Sequence, residues 1–378
     1  MVKRRLTVAQ ILPRLHTGGV ERGTLEVAAE LVRHGHRSLV VADRGGLEGD
    51  LIAQGSEHYP WAIGKKSLQT LRFVPRLRQL LSAEQVDIVH VRSRLPAWIA
   101  YLAWRGLPPQ SRPHFVTTFH GFYSVGRYSA IMTKGERVIA VSESIRTHIL
   151  EKYPQVDPAR VNVIYRGVNP QAFPFGFTPG DAWTRNWHQE FPETKGKFLL
   201  TIVGRISRLK GHAAFIELIQ RLVDQEANVH GLVVGAPGSP TSTYFSQLRR
   251  RAEQRGLPIT FTGGRNDVRD ILAHSDILLS LSSQPESFGR TVAEALAVGT
   301  PVVAYDHGGV GEILGAAFPE GAVPEGDLSV AVERLLQFRH QPPRVANISP
   351  FPLQRTLDDT LALYRQLHLD ESSRAPAH

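Results

Sequence analysis

The chain has 378 residues, 42% of them hydrophobic and 21% charged, enough to bury a large core and, at this length, to divide it between two domains. Lys and Arg (44) outnumber Asp and Glu (35) for a net charge of +9, and cysteine is absent, which excludes a disulfide framework and thiolate metal sites. The apolar runs are of strand length, far short of a membrane span, and the basic start MVKRRLTVAQILP lacks a small-residue cleavage pattern, so a cytoplasmic protein is expected.

The charge is unevenly placed. Residues 1–175 hold 24 Lys and Arg against 13 Asp and Glu, whereas residues 176–378 hold 20 against 22. A basic first half suits a polyanionic partner, and an anionic membrane surface or an acidic acceptor would serve as well as nucleic acid. A solvated basic surface explains the charge equally well.

Residues 7–12, 38–42, 87–91, 115–119, 138–141 and 161–165 read as strands with helical patterns between them, the rhythm of a parallel α/β sheet. After the first strand, His16-Thr17-Gly18-Gly19-Val20-Glu21 leads into an amphipathic helix with apolar Val20, Leu25, Ala28, Leu31 and Val32. Glycines at such a turn let the backbone approach a phosphate, although two of them are weak evidence, and the chain has neither the three-glycine dinucleotide fingerprint nor a P-loop. Residues 64–81 combine an apolar stripe (Leu68, Leu71, Val74, Leu77, Leu81) with basic Lys65, Lys66, Arg72, Arg76 and Arg78, interrupted by Pro75. This is either a core-facing helix with a solvated basic side or a surface that docks on an anionic leaflet. His120, in Thr117-Thr118-Phe119-His120-Gly121, stands at another strand end, placed to donate a hydrogen bond to a sugar hydroxyl; a lone histidine is more often structural.

Residues 169–197 are crowded with Pro, Gly and aromatic residues and break the rhythm, which places the domain boundary there. A second series of strands follows at 198–203, 230–234, 259–262, 277–281 and 302–305. In LLTIVGRISRLKGH (199–212) a strand ends at Gly204, and Arg205 and Lys210 occupy the loop into the next helix. Two cations at a sheet's carboxyl edge suit a diphosphate, though such a loop read alone is more commonly just basic. In PESFGRTVAEALAVGTPVV (285–303), Glu286 falls at the carboxyl edge of the sheet, Ser287, Phe288 and Gly289 open a helix, and Glu294 lies eight residues on. On a continuous helix that spacing is about 80° and roughly 12 Å, so the two carboxylates cannot grip one atom. A final helical pattern, 353–369, follows the Pro-rich 341–352 and precedes a tail that looks frayed.

Taken together, these residues resemble the retaining GT-B glycosyltransferases of glycosyltransferase family 4, the group 1 glycosyltransferases, from Gly18-Gly19-Val20-Glu21 to Gly308-Gly309-Val310-Gly311-Glu312. The most specific part is Glu-x7-Glu, Glu286 to Glu294, with its Ser-Phe-Gly core and downstream Gly-x-Pro-Val-Val. The resemblance implies two doubly wound Rossmann-like domains facing across a cleft: an acceptor-side domain at 1–175, a nucleotide-sugar-binding domain at 176–350, and a C-terminal helix and tail at 351–378 packing back on the first. It implies that Glu294 binds the donor ribose, Glu286 and His120 the donor sugar, Arg205 and Lys210 the diphosphate, and the Gly18-Gly19 backbone the phosphates. It further implies transfer from a nucleotide sugar to a glycan or lipid-linked acceptor, as in lipopolysaccharide-core or cell-surface polysaccharide synthesis. No metal, no cofactor beyond the donor and no nucleic acid are expected. One departure stands out: the family commonly has Asn-Gly-Val-Asp after the strand at 161–165, and this chain has Arg166-Gly167-Val168-Asn169. A nicotinamide-dependent oxidoreductase is disfavoured by the missing fingerprint. A nucleotide-sugar epimerase, a phosphorylase-like enzyme and an inert carbohydrate-binding homologue share the architecture and remain open.

Overall fold

The computed structural model describes residues 5–16, 18–238, 242–348 and 350–372. Thr17 of the glycine turn and the end of the tail lie outside them. The chain divides into two units: one runs to Arg166 and resumes at Gln354, and the other is Gly167–Leu353.

The first unit contains β1 (Thr7–Arg14), β2 (Arg37–Asp43), β3 (Glu57–Pro60), β4 (Ile88–Val91), β5 (His114–Phe119), β6 (Arg137–Ala140) and β7 (Val161–Val163). They form one sheet in the order β3-β2-β1-β4-β5-β6-β7, with parallel pairing throughout the described ladders. The second unit contains β8 (Phe198–Val203), β9 (Val229–Val234), β10 (Ile259–Gly263), β11 (Ile277–Ser280), β12 (Val302–Tyr305) and β13 (Ala322–Val323), again parallel, in the order β10-β9-β8-β11-β12-β13. Parallel strands lie between helices on both faces and so read as unbroken apolar runs. β9 is buried along its whole length and β4 likewise.

Three features depart from the sequence reading. The strands β3 and β13 lacked a recognisable signal because both are edges: β3 is Glu-His-Tyr-Pro with no fully buried residue, and β13 is two residues long. A helix, Asp181–Glu190, lies inside the segment read as turn formers, and its Trp187 is buried against Leu199, Leu232, Val234 and Ile271. The surrounding prolines and glycines hid it. The changeover between units comes at Arg166/Gly167, not at 175/176, and residues 351–353 also go with the second unit. The backbone explains this: Val168 exchanges hydrogen bonds with Phe351 and Leu353 (3.0 and 2.9 Å), and Gly176 N–H donates to Val298 O (3.0 Å).

The basic segment splits in two. A 3-10 turn, Leu68–Arg72, precedes the α-helix Phe73–Ala83, and Pro75 sits in that helix's first turn, where its missing N–H costs no intrahelical bond. Leu77 and Leu81 enter the core, whereas Leu68 is 86% and Leu71 51% exposed.

The C-terminal helix, Leu353–Ser372, packs in the first unit from Gln354 onward. Tyr364 is fully buried, and its hydroxyl lies 2.5 Å from His90 Nδ1, whose Nε2 is 2.6 Å from Thr118 Oγ1. Gln354 donates to Glu30 (3.1 Å) and Thr356 to the Tyr165 carbonyl (2.8 Å). Burial, reinforced by nearby Arg92, holds the His90 imidazole neutral by pressing its pKa well below the usual histidine range. Tyr364→Phe would strand a buried imidazole nitrogen, which costs about 1–3 kcal/mol. The denaturation midpoint of the full chain is therefore expected to fall; an unchanged midpoint would show that the Tyr364–His90 bond contributes nothing to stability.

Candidate functional site

Each strand order reverses once, at β1/β4 in the first unit and β8/β11 in the second; Gly18 and Gly19 follow β1, Lys210 follows β8 and Glu286 follows β11, while His120 follows β5, next to β4. Open α/β sheets leave a crevice at such a reversal, outside the carboxyl ends of the strands.

In the second unit, β8 runs into Gly204, Arg205, the 3-10 turn Arg208–Lys210 and then the helix His212–Asp224. Gly211 has φ +77°, and a Cβ there would lie 1.9 Å from the Leu281 carbonyl oxygen, so only glycine lets this loop close against the end of β11. That approach brings Lys210 Nζ to 2.8 Å from Glu286 Oε1, which also accepts from Ser282 Oγ at 2.6 Å. The Glu286 carbonyl accepts the Gly309 N–H at 2.8 Å, tying this loop to the start of the helix Gly308–Ala317. Arg205 is exposed, its side chain running past Gly238.

The helix after β11 begins at Arg290, with Gly289 (φ +94°) as its N-cap, three residues later than expected. Ser287 and Gly289 thus belong to the loop, and Glu286 is off the helix, so its relation to Glu294 does not follow helical spacing. Phe288 is 2% exposed and edge-on to Phe351 at 5.6 Å, which makes its side chain a packing element. Glu294 is 5% exposed, and its Oε1 accepts from Arg290 Nε at 2.9 Å. The i,i+4 spacing of Arg290 and Glu294 is legible in the sequence.

In the first unit, Gly18 caps the helix Gly19–Arg33 and Gly19 is its first residue. Arg166 Nη1 donates to the Gly19 carbonyl at 2.6 Å, and Arg166 Nη2 lies 2.6 Å from His120 Nδ1. The pKa of His120 is held well below the usual range, first by burial and then by the Arg166 and Arg92 cations and His90. A pocket of about 570 Å³ opens beside these residues, lined by His120, by Arg14, Lys65 and Arg92, and by Glu21 and Asp43. Arg92 is buried, donates to Gln10 Oε1 at 2.7 Å and loses hydration there, which lowers its pKa from the usual arginine value. Sequence reading had assigned none of Arg14, Arg92 and Arg166 a role, because a single arginine at a strand end carries no local pattern. Among the described residues no cluster of three or more His, Cys, Asp or Glu could hold a metal ion.

Comparison with known proteins bears on both units. Residues 17–172 match the model of Glycosyltransferase Family 4, and residues 184–350 match Glycosyl transferases group 1. A D-inositol 3-phosphate glycosyltransferase of Gordonia bronchialis is 28% identical over 65% of this chain and 56% of its own length, so the chain spans little more than half of that relative. The crystal structure of a glycosyltransferase from Rickettsia africae superimposes with a TM-score of 0.83 at 26% identity, covering 97% of this chain and 99% of that one. HepE of Anabaena, solved with UDP and glucose, gives a TM-score of 0.78 at 19% identity over 98% and 100% of the two chains. Two parallel α/β units, family matches across both and the same fold in solved glycosyltransferases place the protein: the chain belongs to the group 1 glycosyltransferases of family 4, with the GT-B fold.

Proposed function

We propose that the protein is a retaining glycosyltransferase that moves a sugar from a nucleotide-sugar donor to an acidic glycan or lipid-linked acceptor, of the kind found in lipopolysaccharide core or cell-surface polysaccharide. The observation that carries this reading is the Lys210–Glu286 pair at the switch point of the second sheet, with Arg205 beside it in sequence and Glu294 further along the chain. The pair is partly exposed, with side chains 37% and 19% accessible, and such pairs hold little energy, so a diphosphate can draw Lys210 away from Glu286. In this reading Arg205 and Lys210 neutralise the leaving diphosphate, Glu286 is released toward the sugar as charge develops on it, and Glu294 takes the ribose diol. The leaving phosphate accepts the acceptor's proton, and the sugar is delivered on the face it left. Because the two cations supply the positive charge, turnover is expected to survive EDTA.

Features of the first unit support an acidic acceptor. That unit's pocket presents the three cations Arg14, Lys65 and Arg92 against the two carboxylates Glu21 and Asp43, a positive balance suited to a phosphate or carboxylate on the acceptor. Exposed Leu68 and Leu71, with Lys65, Lys66 and Arg72 exposed nearby, form a surface suited to an anionic leaflet, and we place the enzyme on the cytoplasmic face of the cell membrane. Among the described residues no helix is long and apolar enough to cross a membrane.

Incubation with UDP-, GDP- and ADP-sugars, with and without acceptor extract, is expected to give acceptor-dependent nucleotide release from one of them, with the anomeric configuration kept; no release from any would defeat the proposal. Glu294→Ala should weaken both the donor and the free nucleoside diphosphate by about tenfold or more, the measure of a lost charged hydrogen bond of roughly 1.5–3 kcal/mol. Glu286→Ala should leave nucleoside diphosphate binding unchanged or tighter, since it frees Lys210, while turnover falls. Calorimetric titration decides: equal losses in both variants would end this division of roles. Vesicle co-sedimentation should show binding to anionic vesicles that high salt reverses and that Leu68→Glu with Leu71→Glu weakens. Equal binding to neutral vesicles would count against docking by charge.

A further inference from the structure

Arg166 occupies the position at which this chain departs from the common Asn-Gly-Val-Asp pattern, and its guanidinium joins two segments far apart in sequence. One nitrogen donates to the carbonyl of Gly19 and another reaches His120 Nδ1, each at 2.6 Å. The contact is close: a Cβ on Gly19 would come within 2.9 Å of Arg166 Nη1. A guanidinium has N–H donors and no acceptor. His120 Nδ1 must therefore be the unprotonated, accepting nitrogen, which leaves Nε2 as the ring's N–H.

We infer that Arg166 is a positioning residue, which locks the glycine turn to His120 and holds the imidazole in the neutral Nε2–H form beside the pocket that His120 helps to line. The inference rests on the proposed transferase activity for its substrate, and on geometry alone for the clamp. Charge acts in the same direction. His120 faces Arg166 and Arg92 as well as His90, and the neutral Tyr123 hydroxyl accepts from its backbone N–H, so a second proton on the ring would be added against two cations in a buried place. His120 then works as a fixed neutral hydrogen-bond donor and not as an imidazolium acid. An asparagine at position 166 has a shorter side chain and one amide group, and it cannot span both acceptors as a fork does.

Two measurements test this. Long-range ¹H–¹⁵N NMR of the full chain, with the His120 resonances assigned from the spectrum of His120→Gln, should show the Nε2–H tautomer without titration near the ordinary histidine value. In Arg166→Met the ring should take up its proton at a higher pH than in the wild type, because one facing cation is gone. His120 resonances that titrate alike in both proteins would overturn the clamp. The second measurement is a double-mutant cycle on turnover. Arg166→Met is expected to cost about tenfold in wild type and under about threefold in the His120→Gln background, since residues acting as a unit are non-additive. Losses that simply multiply would mean that Arg166 acts elsewhere and would also overturn the inference. If Arg166→Met does not fold, Arg166→Gln takes its place in both measurements, with Arg166→Lys expected to recover part of the turnover through one of the two contacts. Absence of transfer by the wild type would count against the functional reading alone, because the NMR result does not depend on turnover.

Discussion

Both units depend on one arrangement, a central strand paired in parallel on both sides. β1 lies between β2 and β4, and β8 between β9 and β11. Parallel neighbours need crossover connections, and where the order reverses the crossovers leave in opposite directions, so the loops after the two strands part and a crevice remains. The chemically distinctive residues gather at the carboxyl ends of the strands: Arg14 at the end of β1, Arg92 after β4 and His120 after the neighbouring β5 in the first unit, Lys210 after β8 and Glu286 after β11 in the second. The strands themselves are buried and contribute rigidity. The demand on the loops is steric, as Gly211 shows, where a side chain would collide with the end of β11.

The charges in the two units are held differently, with different consequences. In the second unit Lys210 and Glu286 neutralise one another in partial contact with water, a pairing of small net energy that a ligand can exchange at little cost. In the first unit Arg92 is buried, and the neighbouring imidazoles of His90 and His120 are kept neutral by burial and by the cations beside them. A buried guanidinium cannot shed its proton readily and keeps its hydrogen bonds, here to Gln10, so it supplies a permanent positive field at the pocket. That field accords with the excess of Lys and Arg in residues 1–175. The C-terminal helix completes this interior, for Tyr364 closes over His90 although 274 residues separate them.

The two-domain α/β class, most of the central strands and the identity of Arg205, Lys210, Glu286, Glu294 and His120 as candidates were legible in sequence because each depends on local order. A strand between helices must be apolar along its length, a strand-to-helix turn needs glycine, and Glu-x7-Glu inside PESFGRTVAEALAVGTPVV is contiguous. The tertiary structure alone decided which of these side chains meet. It paired Lys210 with Glu286, drew Phe288 into the core, turned Leu68 and Leu71 outward while Leu77 and Leu81 went inward, and brought Arg166 onto Gly19 and His120. Such contacts join residues far apart in sequence, Arg166 and Gly19 by 147 positions and Tyr364 and His90 by 274. No pattern along the chain encodes them, because the distance between two strand ends is set by the order of strands across a sheet and not by their order in sequence.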